Sequence, residues 1–324
     1  MVLLDIKSKF CKNQKVDKKM KRPEIWAIGG GKGGTGKSFL SCSIGLKLSS
    51  ENKKTIVIDG DLGGSNIHSF FGRDKIKATL SDFFEKRSDL NDIVSGSGFS
   101  KLKFIAGDIR SVNPATIPYF SRTRFYRDVR KLDADVIIID LGAGSVLNTI
   151  DTFLIADKKI VVTTPEITSI ENMYLFIKKV LIRRLSDLYL DRGYGKTVKN
   201  FWKNRGSEVK INTFAEFIEY LRKADKILSE EIDKVYSNIR FNVVLNQVKD
   251  RSQIKSGMYL NSVIKNHFKV DSVFSGYIDY DNNFGTIFET KEPINEIQKH
   301  EKLYGSVSEI VKNIIDGKNR SYIR

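Results

Sequence analysis

Gly31-Lys32-Gly33-Gly34-Thr35-Gly36-Lys37-Ser38 is the stretch on which the fold turns. A β-branched run, 25–28, leads into it, and a helical period, 39–48, follows it. The spacing G-x-x-x-x-G-K-[ST] between a strand and a helix suits a phosphate. Its glycines let backbone N–H groups turn inward as an anion nest, Lys37 reaches the β- and γ-phosphates, and the Ser38 hydroxyl can ligate Mg²⁺. The helix that starts near Lys37 adds the positive end of its dipole. Gly31, Lys32, Gly33, Gly34, Thr35, Gly36, Lys37 and Ser38, with Phe39 next in line, are therefore the expected phosphate-binding positions.

Further along the chain, short apolar runs bounded by Gly or Asp recur at 55–58, 102–105, 136–139, 160–163, 241–245 and 273–278. Their apolarity is continuous rather than alternating, so both faces of each strand are expected to be covered, as in a parallel sheet. Helical periods lie between them, at 170–185 and 253–267 among others. The alternation predicts a doubly wound α/β domain, mostly parallel, with helices on both faces and its ligand at the carboxyl ends of the strands. One stretch, about 186–240, breaks the rhythm with helix-like pieces and no strand. The clearest of these, 214–227, carries Phe214, Phe217, Ile218 and Leu221 at helical spacing, so a helical insertion is expected here. Leu303, Val307, Ile310, Val311 and Ile314 form a final apolar stripe, read as the last core helix rather than a membrane anchor. The expected organisation is a basic arm over 1–23, a domain over 24–316 and a short basic tail over 317–324.

Composition narrows the function. The 324 residues are 40% hydrophobic and 29% charged, with 5 Pro and no low-complexity tract, which disfavours disorder and fibrous repeats. Cys11 and Cys42 are the two cysteines, too far apart in sequence to suggest a cluster, and no C-x-x-C occurs. No run approaches the roughly 18 apolar residues of a membrane span, and the lysine-rich start has no signal-like apolar stretch. A cytoplasmic protein is expected. The net charge is +16. Residues 1–22 carry eight Lys or Arg against Asp5 and Asp17, and 183–210 carry eight against Asp187, Asp191 and Glu208. These two segments are either solvated surfaces or docking surfaces for something acidic.

Lys32 makes the loop more specific. K-G-G-x-G-K-[ST] resembles the deviant P-loop of the MinD/ParA ATPases, and other motifs follow in the order that family has. Asp59-Gly60-Asp61 is similar to its first switch, Asp140-Leu141-Gly142-Ala143-Gly144 to its second switch, and Thr163-Thr164-Pro165-Glu166 followed by Thr168-Ser169-Ile170, then Asn246, complete the set. The resemblance runs over about 24–316 and looks most like the FlhG branch, the MinD-like regulators of flagellar number and placement. Residues 1–23 lack that branch's Asp-Gln-Ala motif, and a MinD-type amphipathic tail is not reproduced.

The resemblance implies an ATP-dependent, Mg²⁺-requiring switch that hydrolyses ATP slowly and is a homodimer when ATP-bound. Lys37 binds the phosphates; Asp61 orients the attacking water. Ser38 and Asp140 attend the Mg²⁺, with Asp59 either a second acidic neighbour of the ion or a partner of Lys37. Lys32 is expected to reach the partner's phosphates in trans, and Asn246 to hydrogen-bond the adenine. Phe39 stands where a hydroxyl residue is frequent, so one contact to the α-phosphate is expected to be missing. Partners implied are flagellar or positioning machinery, with a peripheral position on the inner membrane face. A ParA-like partition ATPase that binds DNA nonspecifically, through 1–22 and 183–210, is the alternative. An anionic membrane is the other acidic surface those segments suit. His68 and Cys42 read as packing residues.

Overall fold

A computed structural model describes residues 22–73, 76–107, 117–144, 147–191, 213–224, 226–282, 286–287 and 289–320. One eight-stranded sheet organises them, in the order β3-β4-β2-β5-β1-β6-β7-β8. The strands are β1 Glu24–Gly29, β2 Thr55–Asp59, β3 Ser95–Gly96, β4 Leu102–Ile105, β5 Val136–Asp140, β6 Lys158–Thr163, β7 Arg240–Val248 and β8 Asp271–Asp279. All neighbours pair in parallel except the two-residue β3, which runs antiparallel to β4.

The continuous apolar runs have the cause inferred from them. Ile25 and Ala27 of β1 enter the core on one side of the sheet, while Trp26 and Ile28 enter the core on the other. Pleating sends successive side chains to opposite faces, so a strand covered on both faces has no polar position to reveal its period. One face packs against α4 Tyr119–Asp128, α5 Leu147–Leu154, α6 Ile167–Asp191, α7 Phe214–Ala224, α8 Lys226–Ser237 and α9 Arg251–Phe268. The other is covered by α1 Lys37–Ser50, α10 Pro293–Lys299 and α11 Glu301–Asp316. Leu303, Val307, Ile310, Val311 and Ile314 are all buried, so the last stripe is a core helix as expected. Two short helices, α2 Ile67–Phe70 and α3 Leu80–Phe84, follow β2.

Three expectations need adjusting. The helix read over 214–227 divides into α7 and α8, and Ile227 is 55% exposed because it lies on α8 outside the buried stripe. The start of the supposed tail is docked: Asn319 Oδ1 accepts from Phe274 N at 3.0 Å, and Arg320 N donates to Phe274 O at 2.9 Å, along the edge of β8. The two basic segments are also partly self-neutralised. Arg22 grips Asp157 through both carboxylate oxygens, and Arg183 meets the buried Asp151 at 2.7 Å beside Arg122. The rest of the arm, 1–21, residues 192–212 and the end of the tail, 321–324, lie outside the described residues.

Candidate nucleotide site

β1, β2 and β5 end side by side, in a register that aligns Ile28 and Asp59 with Asp140. That alignment gathers the loop after β1 and the acidic residues ending β2 and β5 at one edge of the sheet, the place where open α/β sheets bind ligands.

The loop after β1 has a backbone conformation and a packing that require glycine. Gly36, at the N-terminus of α1, has φ of 85°. A Cβ there would also lie 2.1 Å from Asn246 Nδ2. On the other flank, a Cβ on Gly31 would lie 2.0 Å from the Asn172 carbonyl oxygen of α6. The loop is thus wedged between α6 and the end of β7. From β7, Asn246 Nδ2 donates to Thr35 O at 2.9 Å and Gln247 Nε2 to Gly34 O at 3.1 Å. Asn246 Oδ1 in turn accepts from Gln247 N. Asn246 therefore braces the loop. Only the second hydrogen of its amide and the second lone pair of its carbonyl are left to meet an adenine edge. Phe39 sends its side chain into the core, so only its backbone belongs to the loop.

Lys37 is buried, and its Nζ donates to Lys32 O at 3.1 Å. Burial pulls its pKa down, while the charges of Asp140 and Asp61 oppose that shift. Asp59 accepts from Ser65 Oγ at 2.6 Å, Ile67 N at 3.1 Å and Asp61 N at 3.2 Å, all from the segment that follows β2. Burial nevertheless pushes its carboxyl upward.

Asp140 is fully buried and its pKa is pushed up to about 7, by burial first and by the charge of Asp59 second. Hydrogen bonds from Ser38 and Ser41 and the charge of Lys37 pull the other way, Ser41 Oγ lying 3.0 Å from Oδ1. The donor set around this pair suits Mg²⁺, which keeps several waters and takes one or two carboxylates with substrate phosphates. Ser38 and Asp140 are side chains that fit, and Asp59 stands beside them with acceptor capacity left on Oδ1 beyond the bonds from Ser65, Ile67 and Asp61. Beside them Cys42 is buried and its thiol is pushed well above its ordinary range, which suits packing and not nucleophilic chemistry. His68 sits in α2, its Nδ1 buried without a hydrogen-bond partner.

Lys32 points elsewhere than the loop's interior. Its Nζ lies 2.6 Å from Glu166 Oε2 and 3.0 Å from Thr168 Oγ1. That ammonium holds the Glu166 carboxyl low, and the next residue in the chain, Ile167, is 75% exposed. The structure thus gathers Gly31 to Ser38, Asp59, Asp61, Asp140 and Asn246 at one site and adds Ser41, Gln247, Glu166 and Thr168, whose roles the sequence did not signal.

Known proteins share the fold that carries this site. The profile of the CobQ/CobB/MinD/ParA nucleotide binding domain matches residues 26–294. The antiactivator FleN of Pseudomonas aeruginosa is 29% identical over 157 residues, covering 48% of this chain and 55% of FleN. The septum site-determining protein MinD of Helicobacter pylori is 28% identical over 150 residues, covering 46% and 55%. The chain spans about half the length of these curated relatives. Among solved structures, MinD complexed with Mg-ADP from Pyrococcus horikoshii superposes with a TM-score of 0.58 at 16% identity, covering 90% of this chain and 96% of that one. A putative plasmid partition protein from Borrelia burgdorferi bound to AMPPNP gives 0.60 at 18%, covering 91% and 100%. A profile of that domain matching residues 26–294, most of the chain, on a mostly parallel sheet of this topology makes this protein a member of the CobQ/CobB/MinD/ParA nucleotide-binding family.

Proposed function

We propose that the chain is an ATP-dependent dimerising switch with slow hydrolysis, acting as a spatial regulator of the MinD and FlhG kind. The observation that carries this reading is Lys37: a buried ammonium whose hydrogen bond is to a backbone carbonyl, at the sheet edge that also presents Asp61 and Asp140. A buried cation without an ion pair among the described residues is costly unless an anion meets it, and a nucleotide's phosphates are that anion.

In this reading Gly31 to Ser38 enclose the phosphates and Lys37 neutralises them. Mg²⁺, held by Ser38 and Asp140, would screen the charge between the phosphates. Asp61 orients the attacking water, a job that positions a nucleophile rather than forming a bond to phosphorus. Lys32 acts in trans on the partner's nucleotide. It must first leave Glu166 and Thr168, and an exposed ion pair of this sort holds it by only about 0–1 kcal/mol. Two ATP-bound chains then complete one another's sites, and hydrolysis separates them. The likeness to FleN, an antiactivator, favours a protein partner in flagellar or positioning machinery; a peripheral place on the inner membrane face belongs to the same reading.

The partition alternative is favoured by the likeness to the Borrelia partition protein and by the surplus of Lys and Arg. ATP-loaded Asp61→Ala protein should be presented to duplex DNA and to anionic liposomes in parallel. No retention on DNA, with lipid bound or a protein partner recovered, agrees with the regulator reading. DNA binding that falls steeply with salt replaces it with the partition reading.

A further inference from the structure

Two links couple the first switch to the second. In the backbone, Gly60 N donates to Asp140 O at 2.7 Å. Among the side chains, the Asp61 carboxylate is seated directly over Gly142: a Cβ added at Gly142 would lie 2.7 Å from Asp61 Oδ1 and 2.9 Å from its Cγ. Gly142 is buried, and its φ is outside the left-handed region, so its backbone would accept any residue. What demands glycine at 142 is the space taken by Asp61. On the other side Asp61 Oδ1 accepts from Gly63 N at 3.3 Å, and its charge acts on the buried Lys37.

We infer that Gly142 is a positioning residue for hydrolysis: the second switch offers a side-chain-free seat that sets where the Asp61 carboxylate stands over the phosphate loop. The inference rests on the role given above to Asp61. Real Cβ contacts are essentially never under 3.0 Å and ordinary ones begin at 3.4 Å, so an alanine methyl at 142 displaces the carboxylate by roughly 0.7 Å. The displaced group is the end of a side chain and not backbone, so the fold tolerates the change and the geometry of the site does not. A displacement near 1 Å in a positioned group costs up to about 10²-fold in rate.

The test is a steady-state ATPase comparison of the full chain with Gly142→Ala, Asp61→Ala and the double variant. Gly96→Ala, where an added Cβ meets nothing, is the control. Gly142→Ala should lose about ten- to a hundredfold in kcat with KM for ATP unchanged within about twofold. In the Asp61→Ala background the same change should have no further effect on kcat or on the lifetime of the ATP-bound dimer, because the group it displaces is gone. The double variant should melt no lower than Gly142→Ala alone, since removing the carboxylate relieves the contact. Unchanged or raised kcat in Gly142→Ala overturns the inference, as does an equal loss in both backgrounds. Normal turnover by Asp61→Ala overturns instead the reading of Asp61 beneath it, so the two failures are told apart.

Discussion

Replacing Asp140 with asparagine should stabilise the nucleotide-free chain, and more so the higher the pH. Asp140 is fully buried and titrates near 7 instead of its ordinary 3.8. Below the ordinary value both the folded and unfolded chains carry its proton. As pH rises past it the unfolded chain gives the proton up and the folded chain keeps it, so the stability this group contributes on the acid side is lost progressively and is gone above about 7. A shift of about three units at 1.36 kcal/mol per unit makes the ionised carboxylate a liability of roughly 4 kcal/mol at pH 8. Asparagine carries no charge there and still offers Oδ1 to the hydroxyls of Ser38 and Ser41, though burying its two amide hydrogens costs about 1–2 kcal/mol unless each finds an acceptor. The net gain should therefore be about 2–3 kcal/mol at pH 8 and under about 1 kcal/mol at pH 5.

Thermal melting followed by circular dichroism, in EDTA and without nucleotide, reads this directly. The variant should melt several degrees above the parent at pH 8, with the difference shrinking toward pH 5. Asp59, whose carboxyl is also raised, titrates in both proteins and does not enter the difference except through its coupling to Asp140. A pH-independent difference, or a variant that melts lower at pH 8, would refute the reasoning. The same variant should lose Mg²⁺-dependent ATP affinity, which would show that the buried charge is kept for the ligand and at the fold's expense.

Lys37→Ala should abolish ATP binding measured by titration calorimetry, and an unaltered affinity refutes the assignment of the loop. Asn246→Ala removes the brace from Thr35 O and should weaken ATP binding about tenfold, whereas Asn242→Ala, altering a β7 residue that bonds Lys159 O away from the loop, should leave affinity unchanged. Glu166→Gln should loosen Lys32 without touching the phosphate loop. ATP-driven dimerisation should then set in at an ATP concentration equal to or up to about fivefold below that of the parent, and a marked rise would show that Glu166 assists Lys32 in the dimer.

The seven longer strands were legible because burial on both faces leaves unbroken β-branched runs. β3 was not, since Ser95 and Gly96 carry no hydrophobic signal and pair only at the sheet's edge. α4 was hidden by its own chemistry: Arg122, Arg124 and Arg127 interrupt the apolar pattern, and only the fold shows that acidic residues answer them. α2 and α3 are too short to display a period. Within the site, the loop and the acidic strand ends could be read because their spacing is local. The partners that fix them could not: Ser41 meets Asp140 across 99 positions, Lys32 meets Glu166 across 134, and Asn246 meets Thr35 across 211. Asn246 illustrates the cost, since a strand-ending carboxamide suits an adenine equally well until the loop it braces is seen.

In the proposed cycle ATP joins two chains and Asp61 governs their separation. Molar mass of the Asp61→Ala protein by light scattering, with and without Mg²⁺-ATP, tests it most directly. A monomer is expected without nucleotide and a persistent dimer with it, with a return to monomer when Lys32→Ala or Lys37→Ala is added. A mass that does not change with ATP, or a dimer indifferent to both lysines, would contradict it.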